Sequence, residues 1–498
     1  MKKILSATIT PYLILFSVCF LILLRSQVAP FSCGVLWTDS SVFIYTAQQM
    51  IDGQLIYKEV FDHKGFTLYL LNIIGLKIFN GNWMGIWVLQ LFCYFVTATF
   101  LYKTLRFFYN KKITVLAVVT VLLYQGAIEF GGNISETWAL PFTSIALYVF
   151  TQYFVKQKQF SIVQLFILSA TFILTLFLRP NLVALWGAFG IVVIFDLVQS
   201  KRWKDMLFYT FYVLIFCLLT VTPFFLYAYS KGIIEDSIYG IFTFNIIYSS
   251  KAGTGNIFKT FLESLLTMGD STFVYLGIIV SSYILYSILY FKEIRHKKFV
   301  AAIILSIFVI AFSCSIGRPD VHYFVQFVPV LMFPIAACFS FLVKNLSKRK
   351  WTFAVFFCLI LNLNLINKMV EFTQNNYSQE RRIFYTGLNA VVSQHTTSAD
   401  KILEMGNNLN VYLLTNRKSS SRFPFIYPII EKDKRIEEFY LAELEEPPLP
   451  KLIITDGYWK LFSNELKSKL DKTLQEHYEK LDVKLEKGEN YSIWKLKE

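Results

Sequence analysis

The segment LWTDSSVFIYTAQQMIDGQLIYKEVFDHKGF, residues 36–66, concentrates ionisable groups in a chain that has few of them. The 498 residues are 55% hydrophobic and 16% charged, with a mean hydropathy of +0.49. Soluble domains carry about a quarter charged residues, so most of this chain is expected to lie in lipid. The segment follows one apolar stretch and precedes many more. It therefore predicts a polar loop of a polytopic α-helical membrane protein.

Apolar runs on either side of this loop predict about eleven transmembrane helices, because a span needs roughly 17–25 apolar residues. The predicted spans are 4–24, 84–105, 113–128, 138–155, 161–178, 181–198, 207–229, 272–291, 299–316, 321–343 and 352–367. The apolar segment 67–79 is too short to span and predicts a juxtamembrane helix on the bilayer. The N-terminal run lacks a clear cleavage site, which favours a retained first span over a signal peptide.

Basic residues give the orientation. The loops on the side of the N-terminus hold 19 Lys and Arg residues, whereas the opposite loops before residue 368 hold nine. Because basic loops stay cytoplasmic, the N-terminus is predicted inside, and the loop 36–66 outside. An odd number of spans also places the C-terminal part outside. From Lys368 onward there are 20 basic and 20 acidic residues, so the net charge of +14 belongs to the membrane part. This excess is an orientation signal and gives no support for nucleic-acid binding.

The composition changes near residue 370, where charges become frequent. The runs 451–455 and 484–497 predict strands, the run 464–481 predicts a helix, and residues 488–490 predict a hairpin turn. We therefore expect a transmembrane domain over 1–369 and a small extracytoplasmic α/β domain over 370–498. The seven cysteines show neither a disulfide framework nor zinc-ligand spacing, so no metal site is predicted from them.

Acidic and basic side chains gather at the predicted outer face. Of the 14 acidic residues before the C-terminal domain, eleven fall on that side. Charged groups at the mouths of spans are costly and usually face a protein-lined cavity. Transfer of a group from a phosphate carrier needs a base near the acceptor hydroxyl and cations near the phosphate. Asp39 is the candidate base, and Lys64 the candidate phosphate ligand. Further candidates for substrate binding are Asp62, His63, Glu136, Arg179, Arg318 and His322.

Each candidate has a structural alternative. Asp39 could be only the N-cap of the helix predicted to end at Gly53, and residues 62–64 could be a solvated turn. Arg179 and Arg318 could extend their side chains to lipid headgroups. Glu129 or Glu136 could pair with one of these arginines in a structural bridge. His322 could be a satisfied core histidine.

The pattern Asp39-Ser40, followed by Asp52-Gly53-x-x-x-Tyr57-Lys-Glu-Val-Phe-Asp62-His63-Lys64-Gly65, resembles the first outer loop of GT-C membrane glycosyltransferases. The similar enzymes are protein O-mannosyltransferases and lipid A aminoarabinose transferase-like proteins. Bacterial members often carry a G-x-x-x-Y-x-D-x-x-D-H-K-G-P string, and Phe66 replaces its proline here. The likeness extends less specifically to residues 131–136, 178–181 and 319–323.

This resemblance implies transfer of a sugar, with inversion, from a polyprenyl-phosphate carrier to an extracytoplasmic glycan, lipid or protein of the cell envelope. It implies that Asp39 is the general base and that Lys64 meets the donor phosphate. Relatives often have glutamate where this chain has Ser40, which argues against a metal role for the pair Asp39-Ser40. No cofactor is predicted with certainty, and a divalent cation is left open. The alternatives from other classes are a transporter or flippase for lipid-linked sugars and a polysaccharide polymerase. Transporters often show internal repeats and broken helices, and the sequence shows neither.

Overall fold

The computed structural model describes residues 2–32, 34–252, 258–260, 262–263, 271–316, 320–345, 350–376, 379–407, 409–426, 429–444, 447–455, 462–483, 485–486 and 491–498. Nineteen helices of the described part are used below. They are α1 Lys2–Leu23, α2 Thr38–Ile51, α3 Phe66–Ile78, α4 Met84–Leu105, α5 Lys111–Ile128, α6 Ser135–Gln152, α7 Ile162–Leu176, α8 Ala184–Gln199, α9 Trp203–Ser230, α10 Ile234–Ile238, α11 Phe244–Ala252, α12 Ser271–Leu289, α13 Lys297–Cys314, α14 Val328–Asn345, α15 Lys350–Asn376, α16 Gln379–His395, α17 Asn410–Thr415, α18 Lys434–Glu443 and α19 Asn464–His477.

Each of the eleven predicted spans coincides with one of these helices, some of which are extended by a short 3₁₀ or π segment. Seven of the described helices are long and apolar enough to cross a membrane. Four further apolar helices are shorter: Ile9–Leu23, Phe66–Ile78, Ile162–Leu176 and Leu276–Leu289. The protein is therefore mostly helical and multi-pass in character, and the count of eleven spans stays a prediction.

The long helices pack into a bundle around one large apolar core. Helix α4 contacts α1 and α6, helix α8 packs along α13, and α5 lies between α14 and α15. Helix α9 packs along α7 and leaves Leu214, Leu218 and Leu226 exposed on its other side. An apolar helix face without a protein partner is expected where a helix meets lipid.

The first loop forms two helices, as the sequence predicts. Helix α2 ends at Ile51, and Gly53 follows with φ +95°, a conformation that glycine adopts without steric cost. Helix α3 crosses α4 so closely that a Cβ on Gly75 would lie 2.8 Å from the Cα atom of Ile86. Its other face exposes Leu70 and Ile74. The helix is confirmed, and its contact with the bilayer stays a prediction.

The C-terminal part contains a five-stranded mixed sheet in the order β2-β1-β3-β5-β4. The strands are β1 Lys401–Met405, β2 Lys418–Ser419, β3 Leu452–Thr455, β4 Tyr478–Lys480 and β5 Ser492–Leu496. Strand β1 pairs in parallel with β2 and β3, and β5 is antiparallel to both β3 and β4. The predicted α/β character and the strand at 451–455 are thus observed.

The partner of the last strand differs from the expectation. The predicted helix 464–481 stops at His477, and the next three residues form β4 beside β5. Tyr478 is buried, and its hydroxyl donates to the carbonyl of Pro450 over 2.7 Å, so a long-range contact fixes the end of the helix. The predicted turn at 488–490 lies outside the described residues.

The C-terminal part docks directly on the first loop. The side chain of Asn410 exchanges two hydrogen bonds of 2.8 Å with the backbone of Leu36. The amide of Phe61 donates to the carbonyl of Arg422 over 2.7 Å, and the Arg422 guanidinium donates to the carbonyl of Tyr57 over 3.0 Å. Both regions also contribute to one apolar core. The loop that carries the candidate base is therefore held from both sides, by the bundle and by the sheet unit.

Candidate active site at the mouth of the helix bundle

Asp39 lies in the first turn of α2 and is partly exposed. The N-cap position is Trp37, which makes no capping hydrogen bond through its side chain, so the structural alternative for Asp39, an N-cap, is wrong. Among the described residues, the Asp39 carboxylate has no hydrogen bond or ion pair. A carboxylate in the first turn is favoured by the positive end of the helix dipole. The Asp39 carboxylate therefore stays available to a substrate within the described part of the structure.

The amide side chain of Gln27 holds the start of α2. Gln27 donates to the carbonyls of Phe130 and Gly132 over 3.2 and 2.9 Å, and its oxygen accepts the backbone N–H of Trp37. This ties the entry of α2 to the loop between α5 and α6. Sequence reasoning missed Gln27, because a single amide in an apolar region gives no pattern.

The loop after α5 reaches α2 through Asn133. Its side chain donates to the Ser40 hydroxyl over 2.9 Å and accepts from the indole N–H of Trp138 over 2.9 Å. Four consecutive residues, 130–133, have positive φ values between 51° and 83°, and glycine at two of these positions lowers the cost of that curl. Ser40, which departs from the family's pattern, is fully buried and serves as the anchor for Asn133.

Asp62, His63 and Lys64 are all buried, so the prediction of a solvated turn was wrong. The Asp62 carboxylate accepts from the hydroxyl of Tyr69 and, over 2.6 Å, from the backbone N–H of His63. The Lys64 ammonium lies 2.8 Å from the His63 ring nitrogen Nε2. The ring of Tyr248 in α11 stacks on His63 with a centroid distance of 5.3 Å. The triplet is therefore a fixed, desolvated group.

Gly65 explains how two distant motifs meet. Its N–H donates to the carbonyl of Leu178 over 3.1 Å, and a Cβ at this position would lie 2.0 Å from the carbonyl oxygen of Phe177. Only glycine permits this approach, which brings Lys64 next to Arg179. Phe66, which replaces the family's proline, is the first residue of α3 and packs on Phe224 at a centroid distance of 5.0 Å.

Arg179 points into the protein and does not extend to the lipid surface, so that alternative was wrong. Its guanidinium donates to Glu136 over 2.8 Å and lies over the ring of Tyr323, 4.3 Å from its centroid. The structural bridge expected for Glu129 or Glu136 is thus formed by Glu136. Glu129 instead accepts from neutral side chains, namely those of Tyr94, Gln125 and Thr137.

His322 is buried between Trp37, Phe130 and Tyr323, with ring centroid distances of 5.8, 5.5 and 4.6 Å. Its Nδ1 has no hydrogen-bond partner in the described part of the chain. The histidine is therefore buried as the core alternative predicts, but it is not satisfied. Arg318, the remaining candidate, lies outside the described residues.

The charges around Asp39 alter its acidity. Partial burial, which removes water from around the carboxylate, raises the pKa of Asp39 above its ordinary value of 3.8, and the charges of Lys64 and His322 oppose this rise. The carboxylates of Glu136 and Asp320 raise it further. Asp320, counted in the sequence only among the outer acids, thus belongs to the surroundings of the candidate base. A carboxylate with a raised pKa is a stronger base than a solvated one.

The pKa values of Asp62, His63 and Lys64 are all lowered, whereas that of Asp39 is raised. Burial raises the pKa of Asp62, but the hydrogen bond and charge of His63 and the charge of Lys64 bring it below its usual value. Burial and the Lys64 charge lower the pKa of His63 to about 4. Burial and the Arg179 charge also lower the pKa of Lys64. A lysine beside a second cation, in a desolvated place, is suited to bind an anion that restores the charge balance.

No group of three or more His, Cys, Asp or Glu side chains in the described ranges is arranged to hold a metal ion. The divalent cation left open by the sequence stays a prediction. The chemistry that the described residues can supply is proton transfer by a carboxylate and stabilisation of an anion by Lys64 and Arg179.

Comparisons with known proteins agree with this architecture. A family model described as "Putative competence-induced protein Ccs4 N-terminal domain" matches residues 2–331. Two structures of ArnT from Cupriavidus metallidurans are similar to this chain. The apo structure is 11% identical, with a TM-score of 0.63, over 99% of this chain and 98% of that chain. The structure bound to undecaprenyl phosphate is 10% identical, with a TM-score of 0.60, over 98% of each chain. AglB from Archaeoglobus fulgidus, in complex with an inhibitory peptide and a dolichol-phosphate, matches at 12% identity and a TM-score of 0.50 over 95% of this chain and 73% of that one. No curated protein matched the sequence. The resemblance to GT-C membrane glycosyltransferases is confirmed at the level of the fold.

Proposed function

Because the chain belongs to the family of the competence-induced protein Ccs4 N-terminal domain and has the fold of ArnT and AglB, we propose that it is a membrane glycosyltransferase. It moves a sugar from a polyprenyl-phosphate carrier to an acceptor of the cell envelope. The observation that carries this proposal is the Asp39 carboxylate, which is unpaired within the described residues and is influenced by the charge of the buried Lys64, itself a neighbour of Arg179.

Asp39 acts as the general base in this proposal. The acceptor hydroxyl gives its proton to the Asp39 carboxylate as its oxygen attacks the anomeric carbon of the donor sugar. The bond from that carbon to the phosphate oxygen breaks, and the polyprenyl phosphate leaves with the electron pair, so the configuration inverts. General-base assistance contributes on the order of 10²–10⁴-fold. Asp62 and Glu136 are less suitable as bases, because both are buried and accept hydrogen bonds within the protein.

Lys64 binds the donor phosphate. Arg179 is already engaged with Glu136, so it adds positive charge near the phosphate while its orientation is fixed by that ion pair. Within the described residues, the Lys64 ammonium has one side-chain hydrogen-bond partner, the His63 ring, which leaves further N–H donors for phosphate oxygens. The binding of undecaprenyl phosphate by ArnT and of a dolichol-phosphate by AglB supports a polyprenyl-phosphate donor for this chain.

The site and the sheet unit are proposed to lie outside the cytoplasm, with the N-terminus inside. Residues 1–369 form the membrane domain, and residues 370–498 form the outer α/β domain in this arrangement. The support is the distribution of 19 against nine basic residues between alternate loops. Reporter fusions test it: a fusion after residue 370 is expected to be active only outside the cytoplasm, and one after residue 203 only inside. A cytoplasmic signal from the fusion at 370 would overturn the outer site.

The experiment that tests the activity separates transfer from transport. Purified protein in vesicles receives radiolabelled polyprenyl-phosphate sugar together with envelope extract. Transferase activity predicts that the label moves to an acceptor that is not extracted with the lipid, and that the product carries a single added sugar. A polymerase would give a ladder of products. Movement of intact donor between leaflets, without any transfer, would replace the proposal by a flippase.

A further inference from the structure

A polar cavity of about 530 Å³ lies at the end of α2 opposite Asp39. We call it the distal cleft. Its walls come from three parts of the chain: the last two turns of α2, the end of α3, and the segment around β2 of the sheet unit. The cleft thus exists only because the sheet unit docks on the first loop. Nothing in the proposed transfer step uses it.

The distal cleft has an excess of positive charge. Lys77, Arg417 and Lys418 line it, against a single carboxylate from Asp52. Asp52 pairs with Lys418 over 2.8 Å. Within the described part of the chain, Arg417 donates to the neutral oxygens of Thr396 and Thr415 and its charge also acts on Asp400, whereas Lys77 has no ion pair. Three positive charges thus line the cleft against one carboxylate, an excess that suits an anionic ligand.

The cleft also has neutral groups that suit a sugar. The side-chain oxygen of Gln49 is buried, lines this cleft and has no hydrogen-bond partner among the described residues. The Tyr45 hydroxyl accepts the backbone N–H of Ser419, which leaves its own proton to donate. A buried amide oxygen without a partner costs free energy, and a ligand hydroxyl would remove that cost.

The position of the cleft relative to Asp39 indicates a long ligand. Thirteen residues of α2 separate Asp39 from Asp52, which corresponds to about 20 Å at the rise of an α-helix. A second cavity of about 410 Å³ meets the distal cleft at Gly81 and is lined on its other side by residues 28–34, the segment that leads into α2. The second cavity thus neighbours both the distal cleft, through Gly81, and the segment that leads into α2.

We propose that the distal cleft binds the anionic portion of an extended glycan acceptor, whose end reaches Asp39. This rests on the proposed transferase function, but the binding itself needs neither donor nor turnover. Lys77 and Lys418 contact the acidic groups, and Gln49 contacts a hydroxyl of the chain. The cleft thereby selects acceptors that are both anionic and longer than about 20 Å.

Direct binding tests the cleft separately from transfer. The full-length protein in nanodiscs of neutral lipid is titrated with fluorescent poly(glycerol phosphate) oligomers, with oligogalacturonate, and with a neutral dextran of equal length. The two acidic chains are expected to bind, with an affinity that falls as salt rises, and the dextran is expected to bind poorly. The two acidic probes distinguish phosphate from carboxylate recognition.

Charge variants give opposite expectations. The double variant Lys77→Gln/Lys418→Gln removes both accessible cations and should weaken binding by at least about tenfold, whereas Asp52→Asn should strengthen it. Lys58→Gln removes one positive charge from an exposed position of the first loop, outside the cleft lining, and should have no effect. A merely structural role for these residues does not predict tighter binding in Asp52→Asn.

Three results would overturn the proposal. One is equal binding of the acidic probes by the wild type and the double variant. Another is dextran binding as tight as that of the acidic chains. The third is Lys77-dependent retention of an anionic phospholipid in native mass spectrometry without any glycan binding, which would assign the cleft to a lipid headgroup. Binding that depends on Lys77, in a protein that shows no transfer, would leave the cleft intact and refute only the transferase proposal.

Discussion

Buried polar groups lie near both ends of helices α6 and α8, and the two ends differ in whether these groups have hydrogen-bond partners. At the end away from Asp39, Asp196 of α8 accepts from the hydroxyl of Tyr153 over 2.6 Å and from Lys298 of α13 over 2.5 Å. At the Asp39 end, the nitrogen Nδ1 of His322 and the side-chain oxygen of Asn181 are buried without partners among the described residues.

We interpret the presence or absence of hydrogen-bond partners as the distinction between a structural network around Asp196 and a functional site around Asp39. Buried polar groups are almost always satisfied, because an unsatisfied one costs roughly 1–3 kcal/mol. The Asp196 network meets this rule and holds three helices together. The Asp39 end departs from it, and such departures gather where a ligand completes the hydrogen bonds. The predictions below are ordered by the size of the effect that would break or sharpen this contrast.

Asp39→Asn is expected to have the largest effect. The variant keeps the size of the side chain, and no described contact is lost, so fold and extracted yield should be normal. Without the base, the transfer rate should fall by on the order of 10²–10⁴-fold. Initial rates of label transfer at saturating donor measure the effect, together with the thermal unfolding midpoint.

The matched control for this variant is Glu59→Gln, which removes one negative charge from an exposed position of the same loop. It should transfer at the wild-type rate. Loss of a general base should reduce the rate by at least about a hundredfold. If Asp39→Asn retains more than about a tenth of the wild-type rate, Asp39 is therefore not the base. Asp320, which lies near enough to influence the pKa of Asp39, would then be tested next.

Lys64→Gln is expected to affect the donor more than the chemistry. A hydrogen bond to a charged group contributes about 1.5–3 kcal/mol, which corresponds to roughly tenfold to a hundredfold in affinity. The KM for the polyprenyl-phosphate sugar should rise by such a factor, while the KM for the acceptor stays unchanged. An unchanged donor KM would remove Lys64 from the phosphate site.

The pH dependence of transfer separates Asp39 from its neighbours. The base must be deprotonated, so activity is present above its pKa and is lost as the pH falls through it; this limb should lie above the ordinary aspartate value of 3.8, since burial raises the pKa of Asp39. Lys64→Gln removes a charge that lowers this pKa, so the limb should move to higher pH. Asp320→Asn removes a charge that raises it, so the limb should move to lower pH.

These two shifts are measured from kcat/KM against pH in otherwise identical vesicles. Asp320→Asn also separates Asp39 from His63, whose pKa burial and the Lys64 charge lower to about 4, because the Asp320 charge acts on Asp39 and is not among the charges that shift His63. A limb that moves in the same direction in both variants would contradict Asp39 as the titrating group. Loss of all activity in Asp320→Asn would make Asp320 the base.

The sequence was sufficient for the parts of the fold that local pattern determines. The apolar runs predicted the helices of the bundle, although they gave no signal for α16, and the predicted end of α2 at Gly53 agrees with the positive φ of that residue. The strand pairing of residues 478–480 was not predictable, because a helical pattern continues into them and a distant strand decides their conformation. Long-range pairing of this kind leaves no local signal.

The residues of the candidate site also fall into those that the sequence predicted and those that needed the structure. Asp39, Lys64 and Arg179 were found because charges at span mouths are rare in such a chain and because the loop resembles a known family. Gln27 and Asn133 were missed, although they fix the start of α2. Single amides carry no periodicity, and their partners lie about a hundred residues away. Gly65 was noted only as part of a motif, and its close contact with Phe177 needed the structure.

Lys298→Ala tests the Asp196 network and should have the smallest effect on stability and transfer. The Lys298 side chain is 37% exposed, so solvent screens its pair with Asp196, and Asp196 keeps its hydrogen bond from Tyr153. The expected loss of stability is about 1 kcal/mol or less. The thermal midpoint should fall slightly, while the donor KM and the pH limb of transfer stay at their wild-type values. If Lys298→Ala instead raises the donor KM as strongly as Lys64→Gln, the two ends are coupled through α8 and α13. The satisfied network would then belong to the transfer machinery, and the distinction between structural and functional charge would fail for this protein.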